Sequence, residues 1–110
     1  MRRTSMPTSI DLKASEADFQ DLVVRYAQMK GWRVAHFSIG QTNKGYRTPV
    51  RYDGKGYPDV TAARNGQVIH FECKSAKGRV TAEQQAWIDA LPDAYVIRPA
   101  DWPQIKELLR

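Results

Sequence analysis

The sequence predicts a single α/β domain, an α+β arrangement in which helices flank one mixed sheet. Three observations support this prediction. The chain has 110 residues, which is the size of one domain. Apolar residues recur at helical spacing in two separate segments. Between them, two apolar runs flank an Asn-Gly pair, the strongest short-range signal for a β-hairpin. A chain of this length can bury a core without disulfides or structural metals.

The first helix is predicted to begin after a loose leader, residues 1–14, that shows no periodicity. The folded domain is therefore expected over residues 15–110. Ser15 has the character of an N-cap, with Asp18 forming an approximate capping box. Gly31 supplies the stop signal, and the alternating run Trp32–Phe37 predicts a strand. The apolar face of the helix is formed by Phe19, Leu22, Val23 and Tyr26.

The segment from Ile39 to Tyr57 is predicted to be a long basic loop. It contains four glycines, a proline and one acid, Asp53. A loop of this length inside a small domain is usually functional or disordered. Its basic residues, which we expect to contact a nucleic-acid backbone, are Lys44, Arg47, Arg51 and Lys55.

The hairpin places two carboxylates opposite each other. A two-residue turn at Asn65-Gly66 pairs the strands so that Asp59 falls opposite Glu72, and opposed residues share a face. Period-two alternation puts Lys74 on that same face. The other face is apolar and suited to a core, with Val60, Ala62, Ile69, Phe71 and Cys73. A register slip or a bulge would break this count.

The last third of the chain predicts a second helix, a short strand and a final helix. The second helix starts at Thr81, has a capping box with Gln84 and ends before Pro92. Tyr95–Ile97 is predicted to be a buried strand, and a short helix follows after Asp101. The predicted order is α-β-β-β-α-β-α.

Composition excludes some classes of protein and favours a polyanionic partner. No apolar run approaches the roughly 20 residues that span a bilayer, and no apolar stretch follows the two N-terminal arginines, so no signal peptide is expected. The single cysteine, Cys73, fits a reducing cytoplasm. The net charge of +5 suits nucleic acid, although small basic domains also stay soluble in this way.

The opposed carboxylates suggest a cation site. Their mutual repulsion is relieved by a shared proton or by a bound cation. Mg²⁺ binds through one or two carboxylates and substrate phosphate oxygens, and a neighbouring lysine can hold a water or stabilise the transition state. Each motif alone has a plain alternative, because Pro-Asp is common in turns and Glu-x-Lys is often a surface ion pair. The joint arrangement with a basic loop favours phosphodiester hydrolysis.

Three motifs resemble those of the PD-(D/E)XK nuclease superfamily, and most closely its VRR-NUC branch of virus-type replication–repair nucleases. They are Gly56-Tyr57-Pro58-Asp59, Glu72-Cys73-Lys74 and Gln84-x-x-Trp87. The matching features run from about Glu16 to Leu91 and include the segment Lys77-Gly78-Arg79. The resemblance implies a restriction-endonuclease-like αβββαβ core, in agreement with the predicted order of elements.

The resemblance also implies roles for individual residues. Asp59, Glu72 and the backbone carbonyl of Cys73 would be metal ligands, and Lys74 the catalytic lysine. Glu16 would act near the metal, although a first-turn acid is also favoured by the helix dipole. Gln84 would be an active-site glutamine, but one side chain is not expected to fill this role and the capping box at once, so the site role requires the helix to begin a residue or two earlier. Lys77 and Arg79 could contact phosphates or lie in a solvated turn.

We therefore predict a Mg²⁺- or Mn²⁺-dependent DNA endonuclease acting on branched DNA such as Holliday junctions or flaps. The family analogy implies a homodimer, the single cysteine is consistent with the cytoplasm, and no membrane partner is expected. One alternative is a non-catalytic nucleic-acid-binding module that keeps the fold. Another is a protein-interaction scaffold, which would leave the basic loop unexplained. His36 and His70 are interpreted as structural, and Trp87 and Leu91 as core residues rather than ligands.

Overall fold

The computed structural model describes residues 9–37 and 51–110 of the chain. Lys44 and Arg47 of the predicted basic loop lie outside these ranges, as do residues 1–8 of the predicted leader. The described elements follow the predicted order, with one added 3₁₀ turn before the last helix. They are α1 (Glu16–Met29), β1 (Arg33–His36), β2 (Val60–Arg64), β3 (Gln67–Cys73), α2 (Ala82–Ala90), β4 (Ala94–Ile97), the 3₁₀ turn (Pro99–Asp101) and α3 (Trp102–Leu108).

The four strands form one mixed sheet in the order β1-β2-β3-β4. The first three strands pair antiparallel, whereas β4 pairs parallel to β3. A parallel pair needs a crossover connection, and α2 supplies it between β3 and β4. The predicted mixed sheet with flanking helices is thereby confirmed.

Both ends of α1 are closed by the residues that the sequence indicated. The Ser15 hydroxyl accepts a hydrogen bond from the Asp18 amide at 3.1 Å, which satisfies one of the free N–H groups of the first turn. At the other end Gly31 adopts a φ of 89°, a conformation open mainly to glycine. The Trp32 amide then bonds to the Ala27 carbonyl at 3.0 Å, which completes a Schellman motif.

The β2–β3 hairpin has the register predicted from its turn. Arg64 pairs with Gln67 and Val60 pairs with Phe71, with no residue out of step between them. Asn65 and Gly66 both have positive φ angles, 51° and 80°, as a two-residue type I′ turn requires.

The core lies on one face of the sheet, beneath α1 and α3. The predicted apolar face of the hairpin is fully buried there, and the Tyr26 and Trp102 rings meet edge to face at 5.2 Å. Ile10 and Ala14, which precede α1, pack against the same core. By contrast, α2 contributes no buried residue to it, so the prediction that Trp87 and Leu91 lie in the core was wrong. The buried set consists of Phe19, Val23, Tyr26, Ala27, Trp32, Val60, Ala62, Ile69, Phe71, Cys73, Ile97, Trp102, Ile105 and Leu109.

Over the two described ranges, no helix combines the length and the apolar character that crossing a membrane requires.

Candidate active site

Asp59 and Glu72 come together at the open end of the hairpin. The Asp59 carbonyl accepts a hydrogen bond from the Phe37 amide at 2.8 Å, so strand pairing continues to this residue. Its carboxylate Oδ2 accepts a hydrogen bond from the Cys73 amide at 3.2 Å. The Asp59 side chain is therefore held against the backbone of β3, directly beside Glu72.

Glu72 is almost completely buried, with 1% of its surface exposed. One carboxyl oxygen, Oε2, accepts a hydrogen bond from Gln84 Nε2 at 3.1 Å and lies 3.7 Å from Lys74 Nζ. The other oxygen, Oε1, is buried without a hydrogen-bond partner. Such a group is costly unless something satisfies it, so Oε1 is free to accept a hydrogen bond or to bind a cation.

The surroundings of Glu72 disfavour its negative charge. Burial raises the pKa of Glu72 to about 8, and the nearby negative charge of Asp59 acts in the same direction. Lys74 opposes the shift, while the more distant Glu16 adds to it. A cation placed between the two carboxylates would remove this penalty by restoring the ionised form.

Lys74 is held in a buried position, with 7% exposure, by the elements around it. Its amide donates to the Ile97 carbonyl of β4 at 2.9 Å, which extends the parallel pairing by one residue. The guanidinium of Arg98 donates to the Ser75 carbonyl at 2.7 Å and so fixes the segment that follows the lysine. Sequence reasoning missed Arg98, because only the pairing of β3 with β4 places it there.

Gln84 performs two tasks that the sequence analysis expected to be mutually exclusive, and that expectation was wrong. Its Oε1 accepts a hydrogen bond from the Thr81 amide at 2.9 Å and completes the capping box of α2. Its Nε2 simultaneously donates to Glu72. A side-chain amide has an acceptor at one end and donors at the other, so one residue can cap the helix and contact the site.

The glycine before Tyr57 allows α2 to approach the site closely. Gly56 has a φ of 86°, and a Cβ atom built there would lie 2.6 Å from the backbone carbon of Glu83 and 2.8 Å from the Gln84 amide nitrogen. Tyr57 then packs its ring edge to face against Trp87 at 4.9 Å. These contacts hold the Gln84 turn of α2 over the open end of the hairpin.

The remaining predicted site residues lie further out. Glu16 is exposed at the start of α1 and reaches Glu72 only through its charge. Arg51, Lys55, Lys77 and Arg79 are all exposed, as phosphate contacts would require.

The two histidines and the cysteine have structural partners. His70 shares a hydrogen bond with Thr61 at 3.0 Å on the face of the carboxylates, and burial lowers its pKa. His36 bonds to Gln20 at 2.8 Å. Burial, together with nearby negative charge, raises the pKa of the Cys73 thiol well above its ordinary value, as expected for an inert side chain.

Asp59 and Glu72 provide carboxylate oxygens, the donor atoms that a hard divalent cation prefers. Within residues 9–37 and 51–110, no group of three or more His, Cys, Asp or Glu side chains could hold a metal. Two carboxylates remain, and Mg²⁺ binds through one or two carboxylates while keeping several waters. The unpartnered Oε1 of Glu72 fits this requirement, because it is a buried oxygen that lacks a positive partner.

Chemistry at this site has to be inferred from its own side chains. The chain matches no protein-family model, no curated protein and no solved structure with which it was compared.

Proposed function

We propose that this chain is a metal-dependent DNA endonuclease with a restriction-endonuclease-like core of the VRR-NUC type. The observation that supports the proposal most strongly is the buried Glu72 carboxyl group. It has one oxygen without a partner, and Asp59 and Lys74 lie beside it on the same face. A surface ion pair of the Glu-x-Lys type would not be buried in this way.

Asp59 and Glu72 would hold Mg²⁺ or Mn²⁺, with the Cys73 carbonyl as a third ligand. When bound, such an ion polarises a phosphoryl oxygen and lowers the pKa of a coordinated water. The chain's own contribution is to fix the two carboxylates, one through the Cys73 amide and the other through Gln84. Gln84 is thus a positioning residue for Glu72.

Lys74 would act on the substrate itself. Its ammonium group has three N–H donors. Among the residues that the structure describes, the one carboxylate oxygen in an ion pair with it is Glu72 Oε2, at 3.7 Å. The other donors can hold the attacking water or a non-bridging phosphate oxygen. A fixed positive charge at that place stabilises the charge that develops as the phosphodiester bond breaks.

The exposed cations around the site would grip the DNA backbone. Lys77 and Arg79 follow β3 directly, and Arg51 and Lys55 precede the Pro58-Asp59 segment. The net charge of +5 adds a long-range attraction. Branched DNA and a homodimer belong to the proposal through the motif resemblance, and a cytoplasmic location through the single cysteine.

The test is a cleavage panel of flap, Holliday-junction, single-stranded and plain duplex DNA with Mg²⁺ or Mn²⁺. We expect wild type to cleave at least one branched substrate. Lys74→Ala should lower the rate by roughly 10²–10³-fold, the loss expected for one charge-stabilising donor. Asp59→Asn, which keeps the shape of the side chain, should remove metal-dependent cleavage.

Val68→Ala serves as the control, because Val68 is exposed at the far end of the hairpin and should retain full activity. Circular dichroism and thermal melting establish that each variant is folded. Salt-dependent DNA binding without any cleavage would replace the proposal with the non-catalytic binding module. Full activity in both site variants would show that the chemistry resides elsewhere.

A further inference from the structure

A cleft of about 560 Å³ lies next to the candidate active site, between a turn and helix α2. The turn contributes Tyr52, Asp53 and Lys55, and the helix contributes Glu83 and Trp87 together with two alanines. None of these side chains is a proposed metal ligand or catalytic residue. The cleft thus combines aromatic rings, two carboxylates and one ammonium group.

Tyr52 is the most unusual residue of the cleft. Its side chain is 99% exposed, and its φ of 57° is in the left-handed region, where bulky residues are uncommon. This backbone conformation is strained, and because the ring is exposed, no burial of the ring compensates for the strain. Strained backbone of this kind is typical of ligand-binding positions. The Tyr52 ring is therefore uncovered and open to a ligand.

The turn is attached to the same helix that contacts the active site. The Trp87 indole donates to the Asp53 carbonyl at 2.9 Å, and the Gly54 amide closes the turn on the Arg51 carbonyl at 3.1 Å. Lys55 precedes Asp59 by four residues, so their Cα atoms are at most about 14 Å apart. A ligand in the cleft would lie within a few nucleotides of the scissile phosphate.

We propose that this cleft binds an unpaired nucleobase of the DNA strand that enters the site, an inference that rests on the proposed nuclease function. Tyr52 provides a stacking platform, which is sequence-tolerant because every base has a π-face. Asp53 and Glu83 offer acceptors for exocyclic amino groups, and their charge disfavours a phosphate inside the cleft. Lys55 is placed for the adjacent phosphate.

A paired base would not use such a cleft, because both of its faces are covered by neighbours in the duplex stack. The occupant is therefore a base at a branch point, flap or single-stranded end. In this way Tyr52 would make the enzyme prefer DNA that contains unpaired nucleotides.

The test measures binding separately from cleavage. An oligonucleotide carrying 2-aminopurine is titrated with the protein in EDTA, as a single strand and as a fully paired duplex with the probe base at its centre. We expect tighter binding to the single strand, with a fluorescence change that reports stacking. Tyr52→Ala should weaken single-strand binding by about tenfold. Tyr52→Phe, which keeps the ring, should bind like wild type.

Val68→Ala is again the distant control. Equal affinity of wild type and Tyr52→Ala for the single strand would overturn the inference even if cleavage is observed. A Tyr52→Ala variant that changes only the oligomeric state, measured by light scattering, would also overturn it and assign the cleft to a second copy of the chain. Tyr52-dependent binding in a protein that cleaves nothing would uphold the cleft and refute the nuclease.

Discussion

Glu72 combines burial, a raised pKa and an unsatisfied oxygen in one side chain. Between pH 4.5, the ordinary pKa of a glutamate, and about pH 8, Glu72 is protonated in the folded state but ionised in the unfolded state. The free energy of unfolding should therefore fall as the pH rises through this range. Glu72→Gln removes the titration. In EDTA we expect this variant to be more stable than wild type by about 1–3 kcal/mol at pH 8.

The measurement is urea unfolding across this pH range, with and without Mn²⁺. The metal should stabilise wild type, because a ligand that binds only the folded state raises its stability, and should not stabilise Glu72→Gln. Glu107→Gln is the matched control, since Glu107 is an exposed partner of Arg110 at 3.2 Å. A pH profile that is unchanged by Glu72→Gln would mean that Glu72 is ionised in the free protein.

Gln84 allows its two tasks to be separated by substitution. Gln84→Glu keeps the acceptor that caps α2 but loses the donor to Glu72 and adds a negative charge there. We expect near-wild-type helix content with cleavage lowered by about tenfold, because Glu72 loses its fixed orientation. Activity equal to wild type would contradict the positioning role.

Thr81→Ala is the complementary variant, because it removes the cap that the Thr81 hydroxyl gives to the Gln84 amide. It should cost about 1 kcal/mol of stability and leave the contact of Gln84 with Glu72 in place. The two variants together show whether activity follows the stability of the helix or its contact with the site.

At the scale of elements, the hairpin and α2 are joined at Gly56. We expect Gly56→Ala to cost about 2–4 kcal/mol, because the new methyl group would overlap the backbone of α2 and because a positive φ disfavours alanine. Gly66→Ala is a matched control, since Gly66 has a similar φ of 80° but no atom within 4 Å of the place that a methyl group would occupy. It should cost only about 1 kcal/mol.

Thermal unfolding of Gly56→Ala and Gly66→Ala separates two contributions to the loss of stability. Both variants place alanine at a positive φ, but only Gly56→Ala also brings the new methyl group against the backbone of α2. If α2 must lie against Gly56 for Gln84 to reach Glu72, Gly56→Ala should also lower cleavage, whereas Gly66→Ala should not. Equal losses of stability in the two variants would indicate that α2 can shift away at no cost.

The elements differ in how far the sequence could predict them. The hairpin register could be predicted because Asn65-Gly66 fixes the pairing locally as far as Val60 and Phe71, and this brings Asp59 beside Glu72. The contact of Gly56 with α2 had no local signal, because its two partners are distant in sequence. The double use of Gln84 was missed because a pattern of residue types does not show where the two ends of an amide point.

At the scale of the whole molecule, long-range polar contacts close the fold, and periodicity gave no indication of them. The Arg64 guanidinium donates to the Lys30 and Arg110 carbonyls, and the Trp32 indole donates to the Leu109 carbonyl. These bonds attach the last helix to α1 and β2. They show why the element order could be predicted while the tertiary contacts could not.

The charge of the whole molecule leads to the last prediction. Each lysine or arginine that neutralises a phosphate releases counterions. It therefore contributes about −0.9 to the slope of the logarithm of the DNA-binding constant against the logarithm of the salt concentration. Lys77→Ala should therefore weaken DNA binding and reduce the slope by about 1 in magnitude. Arg25→Ala should leave the slope unchanged, because Arg25 lies on α1 in an ion pair with Asp21.

Fluorescence anisotropy over a salt series in EDTA measures both slopes. A slope that is the same for wild type and Lys77→Ala would remove Lys77 from the DNA-binding surface and leave the backbone contacts to the other exposed cations.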